Sequence, residues 1–163
     1  MSLLKEFADK YKGVFYSEHH PIQKGKINYK GTEIELLWHG LESDPLRILT
    51  TTSESLEGNL MIYPKSYSGQ LFSRFLPNWK FSFSQNIHSQ YKFSGKNHFI
   101  QSIRDNQSIL DLLAKEKVCI VLKKNSDRII LTPVKGFNSI ENLETYAELI
   151  HLIRKSLKQY IKY

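Results

Sequence analysis

The chain carries one cysteine in 163 residues, Cys119, and so cannot form an intramolecular disulfide. A lone thiol fits a reducing compartment. It sits inside Val118-Cys119-Ile120-Val121-Leu122, an apolar run in which a buried structural thiol is the expected reading. No stretch approaches the ~18 consecutive apolar residues needed to span a bilayer. The first residues, Met1-Ser2-Leu3-Leu4-Lys5-Glu6-Phe7, meet charge too early for a secretory signal. A cytoplasmic protein without a membrane span is therefore expected.

Chemical motifs are also lacking. The six histidines, His19, His20, His39, His88, His98 and His151, never form HExxH, which would set two zinc ligands and a base on one helix turn. His19 and His20 are adjacent, but neighbours on a strand point to opposite faces and so do not share a metal. Gly25-Lys26, Lys30-Gly31-Thr32 and Gly95-Lys96 are fragments of phosphate-binding loops, without the GxxxxGK[ST] or GxGxxG spacing. Ser66-Tyr67-Ser68-Gly69 lacks the GxSxG elbow that exposes a nucleophile. Glu33 and Glu35 alternate with apolar residues and read as the solvent side of a strand rather than a catalytic carboxylate pair. No cofactor, metal site or catalytic residue is predicted.

What is present reads as an ordinary globular core. Hydrophobic residues make up 40% and charged residues 24%, which suits a single domain over 1–163. The net charge of +7 is uneven. Residues 1–94 hold 11 basic and 9 acidic side chains; residues 95–163 hold 12 and 7. That leaves +2 in the first part and +5 in the second, enough to attract nucleic acid without specificity.

Periodicity then assigns elements. Leu3, Leu4, Phe7, Ala8 and Tyr11 form a short helical stripe, with Gly13 placed as its C-terminal cap. Val14-Phe15-Tyr16 is extended. Lys26–Tyr29 and Thr32–His39 bracket Lys30-Gly31, a hairpin turn. Thr32, Ile34, Leu36 and Trp38 share one face, as in a half-buried strand. Strands follow over 46–52 and 60–63, the latter ended by Pro64. Tyr91 and Phe93 belong to another, ending at Gly95. Asn97–Lys115 is helical with a break near Asp105-Asn106. Lys117–Lys123 and Arg128–Thr132 form a hairpin around Asn125-Ser126-Asp127.

The chain closes on a long amphipathic helix from Asn138 to Tyr163. Ile140, Leu143, Ala147, Ile150, Ile153, Leu157 and Ile161 recur at steps of three and four. Asn138 and Glu141 have the spacing of a reciprocal capping box. The predicted fold is α+β: a mainly antiparallel sheet of six to eight strands, with the closing helix and the Asn97–Lys115 helix on one face. From Ile87 to Ile161, an aromatic strand, Tyr91-Lys92-Phe93, precedes a helix, a hairpin and a long helix. This succession resembles uncharacterised bacterial proteins with a Phe-x-x-x-Phe-like strand, a resemblance that implies no established activity and no catalytic residue.

One local composition stands out. Phe72, Phe75, Trp79, Phe81 and Phe83 crowd a stretch of poor periodicity, interleaved with Arg74 and Lys80. Packing of the sheet accounts for such aromatics as readily as function does. Read functionally, Phe72, Arg74, Phe75, Trp79, Lys80 and Phe81 make a contact surface on a proline-broken segment. The predicted function is a non-catalytic binding module that docks a protein partner there. The alternatives are a low-specificity nucleic-acid-binding protein using the basic C-terminal half, and a carrier of a small apolar ligand.

Overall fold

The computed structural model describes residues 2–19, 22–40, 45–52, 54–65 and 90–160. The described elements are α1 (Leu3–Lys10), β1 (Val14–His19), β2 (Ile22–Tyr29), β3 (Thr32–Trp38), β4 (Arg47–Thr51), β5 (Leu60–Pro64), β6 (Tyr91–Gly95), α2 (Asn97–Arg104), α3 (Gln107–Lys115), β7 (Val118–Leu122), β8 (Arg128–Pro133) and α4 (Ile140–Lys158). The strands form one eight-stranded sheet in the order β1-β2-β3-β4-β8-β7-β5-β6. Every neighbouring pair is antiparallel. The fold is α+β, as the sequence predicts.

Register explains why one face is apolar. Phe15, Gly25, Leu36, Ile48, Leu131, Ile120, Ile62 and Phe93 lie abreast across all eight strands. From Leu36 to Phe93 this row is at most 2% exposed. A one-residue slip in any strand would turn its share of the row to the other face, so burial fixes the pairing. The neighbouring row, Val14, Lys26, Glu35, Leu49, Ile130, Val121, Met61 and Ser94, faces the other way.

The helices lie on the first face. α4 crosses the middle of the sheet over β4 and β8 and reaches β2; α1 covers β1 and β2; α2 covers β6; all three shorter helices pack against α4. Leu143, Ala147, Ile150, Ile153 and Leu157 of α4 are fully buried, so the predicted stripe is the core-facing one. Burying each Ile or Leu contributes about 1.5–3 kcal/mol.

Local chemistry sets the ends, in two places differently from the sequence reading. Lys12, at φ 52, takes the left-handed position after α1. Gly13 instead lets β2 approach, since a Cβ there would meet the Lys26 carbonyl oxygen at 2.3 Å. At α4 the cap is Ser139: its hydroxyl accepts from the Asn142 amide at 3.2 Å, and the Asn142 side chain accepts from the Asn138 amide at 3.1 Å. The cap bond thus lies one residue later than the Asn138 and Glu141 spacing predicts, and the return bond goes to the amide before the cap rather than to the cap's own. Asn106 divides α2 from α3 by accepting from the Ile109 amide at 3.2 Å. The β2–β3 hairpin turns at Lys30-Gly31 with φ of 50° and 84°, the pair of positive values a type I′ turn requires.

The chain leaves β4 mid-sheet and reaches β5 beyond β8 and β7. Its crossing loop is pinned to the β7–β8 turn: the Thr52 amide donates to the Asp127 carbonyl at 2.7 Å, and Leu56 both receives from the Asn125 amide and donates to the Ser126 carbonyl. Tyr91 ties the far edge. Its hydroxyl donates to the Leu113 or Glu116 carbonyl at 2.8 and 3.0 Å and accepts from the Val118 amide at 3.4 Å, satisfying the end of α3 inside the core.

Candidate functional site

The predicted contact residues Phe72, Arg74, Phe75, Trp79, Lys80 and Phe81 lie outside the described residues. Their point of departure is defined. The Lys65 amide donates to the Gln90 carbonyl at 2.9 Å, so the ladder of β5 and β6 continues to the residues that bound 66–89. Beside that end, the other face of the sheet, on which none of the described helices lies, carries its own small cluster. Met61, Tyr63 and Cys119 are at most 6% exposed, with Val121 and Val134 against them. Burial pushes both the Cys119 thiol and the Tyr63 phenol up to about 12, which keeps Cys119 protonated and unreactive at neutral pH. Towards β1 the same face becomes polar and open. Lys26 pairs with Glu33 at 2.9 Å, confirming the latter as a solvent-side residue, and Val14 and Tyr16 are about half exposed.

Titratable groups gather where α1, the β2–β3 turn and α4 meet. The Tyr11 hydroxyl donates to Glu144 at 2.8 Å, and Lys10 pairs with the same carboxylate. One turn on, Lys30 donates to Glu148 at 2.8 Å, and the Tyr29 phenol faces the same carboxylate closely enough for each to shift the other's titration. His151 Nδ1 lies 2.7 Å from the Thr32 hydroxyl, with its ring edge-on to Tyr29 at 6.0 Å. The bonds from Lys10 and Tyr11 hold Glu144 below its usual range. Lys30 and Tyr29 do the same for Glu148 against its partial burial. Burial, then the Glu144 bond, push Tyr11 up to about 12. Each carboxylate is thus faced by one lysine and one tyrosine of its own chain, and the arrangement reads as a clamp between elements. Sequence offers no signal for it, because the partners are 118 and 133 positions apart.

A second cluster lines a surface hollow of about 580 Å³ between the 54–59 loop, the start of α2 and the end of α4, with Lys96, His98, Phe99 and Tyr160 in its wall. The His98 and Tyr160 rings are 4.6 Å apart, and Phe99 and Tyr160 are 5.6 Å apart. Along α2, the Arg104 guanidinium lies 5.2 Å from the Phe93 ring centre, with Nε and Nη2 buried and without an acceptor among the described residues. Among the described residues, His98 and His151 enter these clusters, both through the fold alone. Among the described residues, no group of three or more His, Cys, Asp or Glu is arranged to hold a metal ion, and no helix is long and apolar enough to cross a membrane.

No family model matches the chain, and no curated protein matches it. Among solved structures, the crystal structure of the mycobacterial trehalose monomycolate transport factor A, TtfA, is similar over 99% of this chain and 96% of that one. The TM-score is 0.63 at 7% identity. That likeness shows a shared fold.

Proposed function

We propose that the chain is one cytoplasmic α+β domain and a non-catalytic binding module, docking a protein partner through the aromatic residues Phe72, Phe75, Trp79 and Phe81 with Arg74 and Lys80. The observation that carries this reading is the continued pairing of Lys65 with Gln90 at the end of β5 and β6. Antiparallel neighbours need only about two to five residues to connect. Residues 66–89 are far more than the connection requires, so the insertion is available for a role beyond joining the two strands. Their composition supports binding, since aromatic and arginine side chains dominate interface energies. The two-point attachment to a rigid sheet limits the entropy lost on docking.

The fold neighbour is named a transport factor for trehalose monomycolate, which favours a carrier of an apolar or amphiphilic molecule as the second reading. The space between the sheet and α4 is filled with fully buried side chains, so a carried ligand would lie at the surface.

The test is the double variant Phe75→Ala, Trp79→Ala, with melting temperature measured beside recovery of partners by the immobilised chain. Partners held by the wild type and lost by the variant, at an unchanged melting temperature, support docking. A fall of several degrees would place the two aromatics in the core and refute the reading.

A further inference from the structure

Two hollows adjoin along one side of α2. The first has a volume of about 580 Å³ and the second about 500 Å³. Gln159 and Tyr160, just past α4, line both, so the pair makes a groove with Tyr160 at its waist. Each hollow by itself falls within the range of about 300–1,000 Å³ usual for small-molecule sites.

The two halves differ in chemistry. Around the first, Tyr160 and His98 present partly exposed rings, tilted by 51° and backed by buried Phe99. Lys96 stands at its mouth, its ammonium held by the Glu57 carbonyl. The second is walled by amides, hydroxyls and a carboxylate. The Gln159 amide donates to the Ser102 hydroxyl at 2.9 Å, and that hydroxyl donates to the Ser156 carbonyl at 3.3 Å. The Gln101 amide donates to one oxygen of Asp105 at 2.7 Å. These bonds fix the side chains without exhausting them: the Gln159 carbonyl oxygen and the further lone pairs of Asp105 can still accept, and the Lys96 ammonium has two protons beyond the one given to the Glu57 carbonyl.

This combination selects against two common ligand classes. An acyl chain would strand the polar walls of the second hollow without partners. A polyphosphate would meet two carboxylates, Glu57 and Asp105, against one lysine. A molecule with one flat C–H face and a rim of hydroxyls, each able to donate and accept, satisfies both halves. We infer that the groove binds a neutral saccharide, its ring face against Tyr160 and His98 and its hydroxyls on Gln159, Lys96 and Asp105.

Saturation-transfer NMR on the full chain, with cellobiose and maltose at millimolar concentration as probes, tests this. Transfer to sugar ring protons is expected, with loss of the signal in both Tyr160→Ala and Gln159→Ala. Gln159 is exposed, so its variant keeps the wild-type melting temperature and decides the matter should Tyr160→Ala melt early. Absence of transfer from both sugars overturns the inference. So does transfer that survives Gln159→Ala unchanged, or displacement of the sugar by equimolar inorganic phosphate, which would mark an anion site. The Phe75→Ala, Trp79→Ala variant should bind both probes as the wild type does.

Discussion

Glu144 and Glu148 stand one turn apart on α4, and each carboxylate faces a lysine and a tyrosine from a different element: Lys10 and Tyr11 at one, Lys30 and Tyr29 at the other. The closing helix thereby fastens both α1 and the β2–β3 turn by the same chemistry. Because the lysines are more than half exposed, solvent screens their share, and at Glu144 the Tyr11 hydroxyl bond carries more of the effect.

Glu148→Ala should cost about 1–2 kcal/mol, since it removes a part-buried carboxylate that both Lys30 and Tyr29 face. Lys30→Ala should cost under about 1 kcal/mol, as exposed pairs do. Urea unfolding of the two single variants and the double variant measures both. A larger loss from Lys30→Ala than from Glu148→Ala would reverse the assignment.

Acid should loosen the same corner in two stages. Burial lowers the His151 pKa from 6.5, with Lys30, Lys155 and Arg154 adding to it and Glu148 opposing. Its neutral form is thus favoured in the folded chain. The unfolded state binds the proton more readily, so this stability is complete above pH about 6.5 and declines as the pH falls through the folded value. Glu144 and Glu148, lowered from 4.5, contribute stability that is present above about pH 4.5 and is lost below it. Melting temperature followed from pH 8 to pH 4 should fall in the first window for the wild type and stay flat there for His151→Asn. An equal slope in both proteins would remove His151 from the account.

Ile150 and Ile153 are fully buried beneath the sheet. A carboxylate at either position has no described partner, and its desolvation exceeds the few kcal/mol by which domains of this size are stable. Ile150→Asp and Ile153→Asp should each abolish the cooperative melting transition in circular dichroism. A wild-type melt from either would mean that α4 is not a core element.

The sequence by itself determined what depends on near neighbours. The stripe from Leu143 to Leu157 has the helical period, and Lys30-Gly31 has the turn chemistry of a tight hairpin. The break at Asn106 is a side chain bonding three residues on. Each of these is settled within about one turn of backbone, where propensity and pattern act. Even there, the α4 cap moved from Asn138 to Ser139, because several polar residues in a row can each satisfy the same amides.

Only the tertiary structure decided the strand order. Local pattern gives β4 an apolar side but cannot say that β8, rather than β5, lies against it; that choice follows from fitting one continuous buried row under α4. The same holds for the sites. Tyr11 meets Glu144, and His98 meets Tyr160, across separations at which sequence has no periodicity left to read. Burial of the core brings these polar groups together as a consequence, and their chemistry becomes visible once the helices have been laid across the sheet.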